Sequence, residues 1–132
     1  MSLRSALGPE LPFLRRYARA LTGSQTLGDA AVREMLEALL IAPHEFDNEK
    51  PPRAELYRVF HRLCKGINTV GHESGVISSL PLHARQSLLL TAIEGFSVQE
   101  AANILESDVE RVTAEIANAR QSISEILQAK VM

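Results

Sequence analysis

Apolar side chains recur along this chain at steps of three and four, the spacing of one helix face. Leu11, Leu14, Ala18 and Leu21 make the first stripe, with Pro9 and Pro12 near its start, where a helix tolerates proline. Thr22-Gly23-Ser24 breaks it. Val32, Met35, Leu36, Leu39 and Leu40 predict a second helix over 27–41, stopped by Pro43. The prolines and the Asp47-Asn48-Glu49-Lys50 run of 43–52 read as a loop. A third helix, 53–66, turns Leu56, Val59, Phe60 and Leu63 inward. Residues 66–79 shift in composition, with Gly66, Gly71 and Gly75, and read as a linker. Ile67, Val70, Val76 and Ile77 give that linker apolar side chains, so it is expected to be mobile alone and to order when a partner bridges its flanks. Beyond it, Leu82, Leu88, Leu89, Ala92 and Ile93 predict a helix over 82–94, ended by Gly95. Ser97-Val98-Gln99-Glu100 and Ser107-Asp108-Val109-Glu110 both have the Ser-x-x-Glu form of a capping box. Behind the second runs the longest stripe, Val109, Val112, Ile116, Ala119, Ile123 and Ile126. No alternating strand pattern, repeat or low-complexity tract occurs, so the fold class is all-α.

Composition narrows the function. The 132 residues are 45% hydrophobic, enough for one core or two small lobes. Formal net charge is -2, against a nucleic-acid binder that relies on bulk positive charge. One cysteine, Cys64, excludes a disulfide framework. Apolar runs of a few residues span no membrane, and the default compartment is the cytoplasm. His61 and Cys64, at i and i+3, have metal-compatible spacing but no further nearby ligands, so packing is the stronger reading. No phosphate-cradling or nucleophile-elbow motif is present, and neither enzymatic activity nor a cofactor is expected. Arg15, Arg16 and Arg19 form a basic cluster on the first helix, open to nucleic acid but read first as a solvated face or as meeting acids on a partner.

From spacing alone, the capped pair of helices after residue 97 is either a plain helical hairpin or a helix-turn-helix. Its residues favour the latter. Leu80-Pro81, Arg85-Gln86, Leu88-Leu89-Leu90, Glu94-Gly95-Phe96-Ser97 and Glu100-Ala101-Ala102 resemble region four of extracytoplasmic-function sigma factors. The departure lies in charge. Positions 108–120 hold Asp108, Glu110 and Glu115 against Arg111 and Arg120. From Phe96 to the end there are six acids and three bases, and phosphate neutralisation is what such a helix needs to hold DNA. The expectation is the fold of a DNA reader without the activity.

The first half is similar to region two of the same class. Ala20-Leu21-Thr22-Gly23-Ser24 with Gly28-Asp29-Ala30, and Arg53-Ala54-Glu55-Leu56-Tyr57-Arg58-Val59-Phe60, carry the likeness. Here Glu55 stands where region two usually has Trp, and Asp29-Ala30-Ala31-Val32-Arg33 departs from the stretch associated with polymerase binding. The run Leu-Pro-Phe-Leu-Arg-Arg-Tyr-Ala-Arg-Ala-Leu-Thr-Gly-Ser-Gln at 11–25 resembles the sigma-like output domains of the PhyR family, response regulators of the general stress response.

That resemblance implies two sigma-like lobes, 1–65 and 80–132, joined by the linker 66–79, with a phosphoacceptor receiver domain following the chain end. It implies partner switching: the domain captures the anti-sigma factor NepR and frees the true sigma factor, binding neither DNA nor membrane. A DNA-binding sigma factor or helix-turn-helix regulator is the alternative. An anti-sigma factor docks as amphipathic helices on an apolar groove, expected here between the lobes. From the helix faces, the contact residues are Val109, Val112 and Ile116 with Met35, Leu36 and Leu39.

Overall fold

In a computed structural model described over residues 3–64 and 77–131, the chain is all-α, and no strand occurs among the described residues. Helix α1, Leu3–Leu7, continues through a 3-10 turn at Gly8–Glu10 into α2, Leu11–Thr22. Pro9 sits in the turn and Pro12 in the first turn of α2, where no helical N–H is needed. The three-and-four pattern does not foretell α1. Gly23, at φ 77°, ends α2 by donating its N–H to the Arg19 carbonyl. The Ser24 hydroxyl then accepts from the Leu27 N–H and starts α3, Gln25–Ile41. Gly28 lets the two helices touch backbone to backbone, since a Cβ there would lie 2.6 Å from the Arg19 Cα. Helix α4, Pro52–Leu63, lays Leu56, Val59 and Phe60 against them.

Two expected faces are corrected. Leu40 is 77% exposed, because Leu39 and Met35 already point inward and α3 is covered on that side only. Ala92 and Ile93 also face solvent. Helix α5, Leu82–Leu88, runs on as a π turn at Leu89–Ile93, where the Glu94 N–H reaches back five residues to the Leu89 carbonyl at 2.9 Å. The wider turn rotates the end of the helix by about one residue. Leu90 and Glu94 therefore point inward, in place of Ala92 and Ile93.

Gly95, at φ 81°, closes that helix. At α6, Val98–Ile104, the capping box is complete: the Glu100 N–H donates to Ser97 Oγ at 3.0 Å, and the Ser97 N–H to Glu100 Oε1 at 2.9 Å. The second box is corrected. Ahead of α7, Val109–Val131, the cap is Asp108, whose Oδ1 accepts from the Arg111 N–H at 2.7 Å. Glu106, in the left-handed region at φ 51°, turns the chain tightly between α6 and α7.

The two halves do not hang apart. Leu89, Leu90, Phe96, Ile104 and Val112 belong to the same buried cluster as Leu14, Tyr17, Met35 and Phe60. The Phe96 ring meets the Tyr57 ring edge-on at 5.0 Å, an aromatic pair worth about 0.5–1.5 kcal/mol beyond its area. Of the expected linker, positions 66–76 lie outside the described residues, as does the expectation that they order on binding. Its end, Ile77–Ser79, forms a 3-10 turn, and Ile77 packs against this cluster and against a smaller one around Leu80, Ala84, Leu88 and Ala119.

Candidate partner interface

The seam between α1–α4 and α5–α7 is polar at its centre. The Glu94 side chain is 1% exposed. Arg16 Nη2 donates to both of its oxygens at 3.0 Å, and the Tyr57 hydroxyl donates to Oε1 at 2.6 Å. Arg53 Nη2 donates to the Glu94 backbone carbonyl at 2.7 Å, and its guanidinium lies 4.8 Å from the centre of the Phe96 ring. Burial, then the hydrogen bond to Glu94, raises the Tyr57 phenol well above its ordinary pKa, so it stays a donor. A second crossing is made by buried Arg85 of α5, whose Nη1 donates to the Leu21 carbonyl at 2.6 Å and Nη2 to the Leu80 carbonyl at 2.9 Å. Leu21 lies in the last turn of α2, where carbonyls have no helical donor and a cation meets the negative end of the helix dipole.

Arg58 holds the neighbouring edge. Its Nε and Nη2 donate to Glu55 at 2.8 and 2.6 Å, and Nη1 lies 3.4 Å from Glu106 in the α6–α7 turn. Burial pushes the Glu55 carboxyl up, but the bonds from Arg58 and the Asp47 N–H outweigh it and hold its pKa below the usual range. So Glu55 fastens the 43–52 loop to α4. Two of the three arginines of the first helix's basic cluster pair within the fold, Arg16 with Glu94 and Arg19 with Asp29 at 2.8 Å, while Arg15 is exposed.

His61 and Cys64 serve packing. His61 Nε2 and the Tyr17 hydroxyl share a hydrogen bond of 2.7 Å, and the Cys64 thiol lies 3.4 Å from the Ala31 carbonyl. No group of three or more metal-ligating side chains occurs among the described residues. Burial, helped by nearby His83, pushes the His61 pKa down to about 3, so the ring is neutral when folded and titrates near 6.5 when unfolded. The unfolded chain then binds the extra proton as pH falls. Stability is present in full above about pH 6.5 and drains below it, by up to about 1.4 kcal/mol per pH unit. Thermal melting should drop from pH 7 to pH 5 in the native chain and drop less in His61→Gln; parallel pH profiles would contradict this.

Two concavities bear on partner binding. One, about 500 Å³ between the halves, is lined by charged and polar groups including Lys50, Glu55, Arg58, Glu100, Asn103 and Glu106. The other, about 300 Å³, is an apolar groove where α1, the start of α2 and α3 meet, formed by Leu3, Leu7, Leu11, Leu36, Leu39 and Leu40. A concavity thus lies between the halves, where charged side chains interrupt a surface that Pro51, Ala54, Ala102 and Ile104 make more apolar than polar, while the second groove is almost wholly apolar and lies in the first half.

The six contact residues read from helix faces divide. Met35, Leu39 and Val112 are core, each 1% exposed or less, because each occupies the innermost line of its own helix. Leu39 touches the apolar groove from its floor. Leu36, Val109 and Ile116 are half-buried and keep an outer surface. The helix faces alone miss Leu40, 77% exposed, which lines the groove.

Residues 7–61 match the family described as the Sigma2 domain of PhyR, and residues 77–125 the family described as Response regulator PhyR, sigma-like domain. The chain belongs to the PhyR family. It is 36% identical over 141 aligned residues to the phyllosphere-induced regulator PhyR of Methylorubrum extorquens, matching all of this chain and 53% of that protein. The chain therefore spans about half the length of that PhyR. Among solved structures it resembles the anti-anti-sigma factor PhyR of Bartonella quintana, co-crystallised with the anti-sigma factor NepR, at 39% identity and TM-score 0.83 over 94% of this chain and 51% of that one. It also resembles PhyR in the PhyRSL–NepR complex of Sphingomonas sp. Fr1, at 40% identity and TM-score 0.77 over 95% of this chain and 88% of that one.

Proposed function

We propose that this chain is a sigma-factor mimic that captures a NepR-like anti-sigma factor and so releases the sigma factor for general stress transcription. The observation that carries the reading is the likeness, at TM-score 0.83 over 94% of the chain, to a PhyR that was crystallised with NepR. The chemistry of the surface agrees. Asp108, Glu110, Arg111 and Arg120 lie exposed and Glu115 half-buried on and just before α7, so the would-be recognition helix sets three acids against two bases. The role is that of a cytoplasmic protein-interaction regulator rather than an enzyme, gated in a longer protein by a receiver domain.

Within this reading the apolar groove beside Leu36 and Leu40 receives an amphipathic helix of the anti-sigma factor, and Val109 and Ile116 carry the contact on the second lobe. Almost wholly apolar walls suit the apolar face of such a helix, whereas charged side chains interrupt the inter-lobe cleft. The test is titration of the purified chain with the NepR-like protein of the same organism by calorimetry: saturable 1:1 binding is expected, and its absence removes the reading.

The alternative, a DNA-binding sigma factor, makes the opposite electrostatic prediction. A gel shift with promoter duplexes at about 50 mM salt, where phosphate contacts are strongest, should show no complex. A sequence-dependent shift that weakens steeply with salt would restore the alternative.

A further inference from the structure

We propose that Glu94 is the lock that fixes the two sigma-like lobes in one orientation, so that the chain works as a single rigid surface rather than as two lobes on a tether. The carboxylate is almost wholly enclosed, and its partners come from elements far along the chain: Arg16 on α2, and Tyr57 and Arg53 on α4. Arg16 is 78 positions away in sequence and Tyr57 37, so no local bond substitutes for them. Burying a carboxylate is costly unless partners bond it, and separating the lobes would break the bonds to all three.

The location is built, not incidental. The π turn at Leu89–Ile93 rotates Glu94 inward, and Gly95 beside it takes the positive φ that ends the helix there. Arg53 then serves two purposes, donating to the Glu94 carbonyl and covering the Phe96 ring. The residues that make the lock lie in the segments through which the chain resembles sigma factors and PhyR: the opening helix, the Arg-Ala-x-Leu-Tyr-Arg helix and Glu-Gly-Phe-Ser. In this chain those segments hold lobe to lobe. Arg85, bonded across the seam to the Leu21 carbonyl, is a second tie in the same sense.

A locked orientation bears on the proposed partner binding, and that part rests on the anti-sigma reading. A partner that touches both lobes binds only the fraction of molecules whose lobes are correctly set, so loss of the lock lowers its affinity by that fraction. The lock itself does not depend on any partner.

The test uses residual dipolar couplings of the chain, which report lobe orientation directly. In the native protein, couplings from 3–64 and from 77–131 should fit one alignment tensor. Glu94→Gln keeps the size and an acceptor for Tyr57 but sets an NH2 group against Arg16. The double change Arg16→Met with Arg53→Met removes both cations and leaves Glu94 in place. In each, the two segments should keep their helical shifts but need separate tensors, and binding of the NepR-like protein should weaken about tenfold if one molecule in ten keeps the native orientation. Should Glu94→Gln fail to fold, the double variant decides. One common tensor in the variants, or loss of helical shifts in both lobes of both variants, overturns the lock. Retained separate tensors with no partner binding even in the native chain would overturn the anti-sigma reading and leave the lock standing.

Discussion

Met35→Asp is expected to unfold the protein, whereas Leu40→Asp, on the same helix, should leave its melting unchanged. Met35 is fully buried and belongs to the cluster that joins both lobes. A carboxylate there must be buried unpaired or drag the helix open, at about 4 kcal/mol or more, against a total stability of about 5–15 kcal/mol for a domain. Leu39→Asp and Val112→Asp should behave alike, since both side chains are enclosed to the same degree. Leu40, at 77% exposure, has little burial to lose. If the groove beside it takes the anti-sigma helix, Leu40→Asp abolishes binding with the circular dichroism intact, and Leu36→Asp and Ile116→Asp weaken binding at a cost of about 1 kcal/mol in stability. Met35→Asp melting like the native chain would show that the core is misassigned; Leu40→Asp binding normally would move the partner away from the groove.

Gly28→Ala should lower stability by about 2 kcal/mol, although alanine is the better helix former by about 1 kcal/mol. The added methyl carbon would sit 2.6 Å from both the N and Cα of Arg19 and 2.8 Å from the Ala18 carbonyl carbon. These are backbone atoms of α2, so no side chain can swing aside and α2 and α3 must part, which costs about 3 kcal/mol of packing. At this chain length the melting midpoint should fall by about 8 °C. Gly8→Ala is the control: it has the same chemistry, and nothing lies within 4 Å of its would-be Cβ. Equal melting of the two variants would mean that the α2–α3 crossing is looser than described.

The range of each interaction decides how legible it is in the sequence. The stripe Leu14, Ala18, Leu21 and the Ser97–Glu100 capping box are local, and both are found in place. Periodicity turns Leu88 and Leu89 inward correctly, passes over buried Ala84, Arg85, Gln86 and Ser87, and misplaces the face beyond Leu89. A π turn carries no residue signature that spacing can detect, so spacing puts Ile93 inside and passes over Glu94. In sequence Glu94 looks like part of a helix end, and only partners 37 and 78 positions away turn it into the centre of the seam. The arginines of the opening helix are visible as a charged cluster, but which acids they meet depends on lobe packing that no periodicity encodes. For the contact surface, helix faces separate inner from outer positions only when one side is covered. Met35, Leu39 and Val112 lie on the inner line, while Leu36, Val109 and Ile116 sit at its border.

The most direct test of sigma mimicry is displacement. A fluorescently labelled sigma factor is bound to the NepR-like protein of the same organism, and the chain is added while anisotropy is followed. Full release of the sigma factor at stoichiometric chain, with Leu40→Asp unable to drive it, is the predicted result. An unchanged sigma–anti-sigma complex at excess chain would contradict the account.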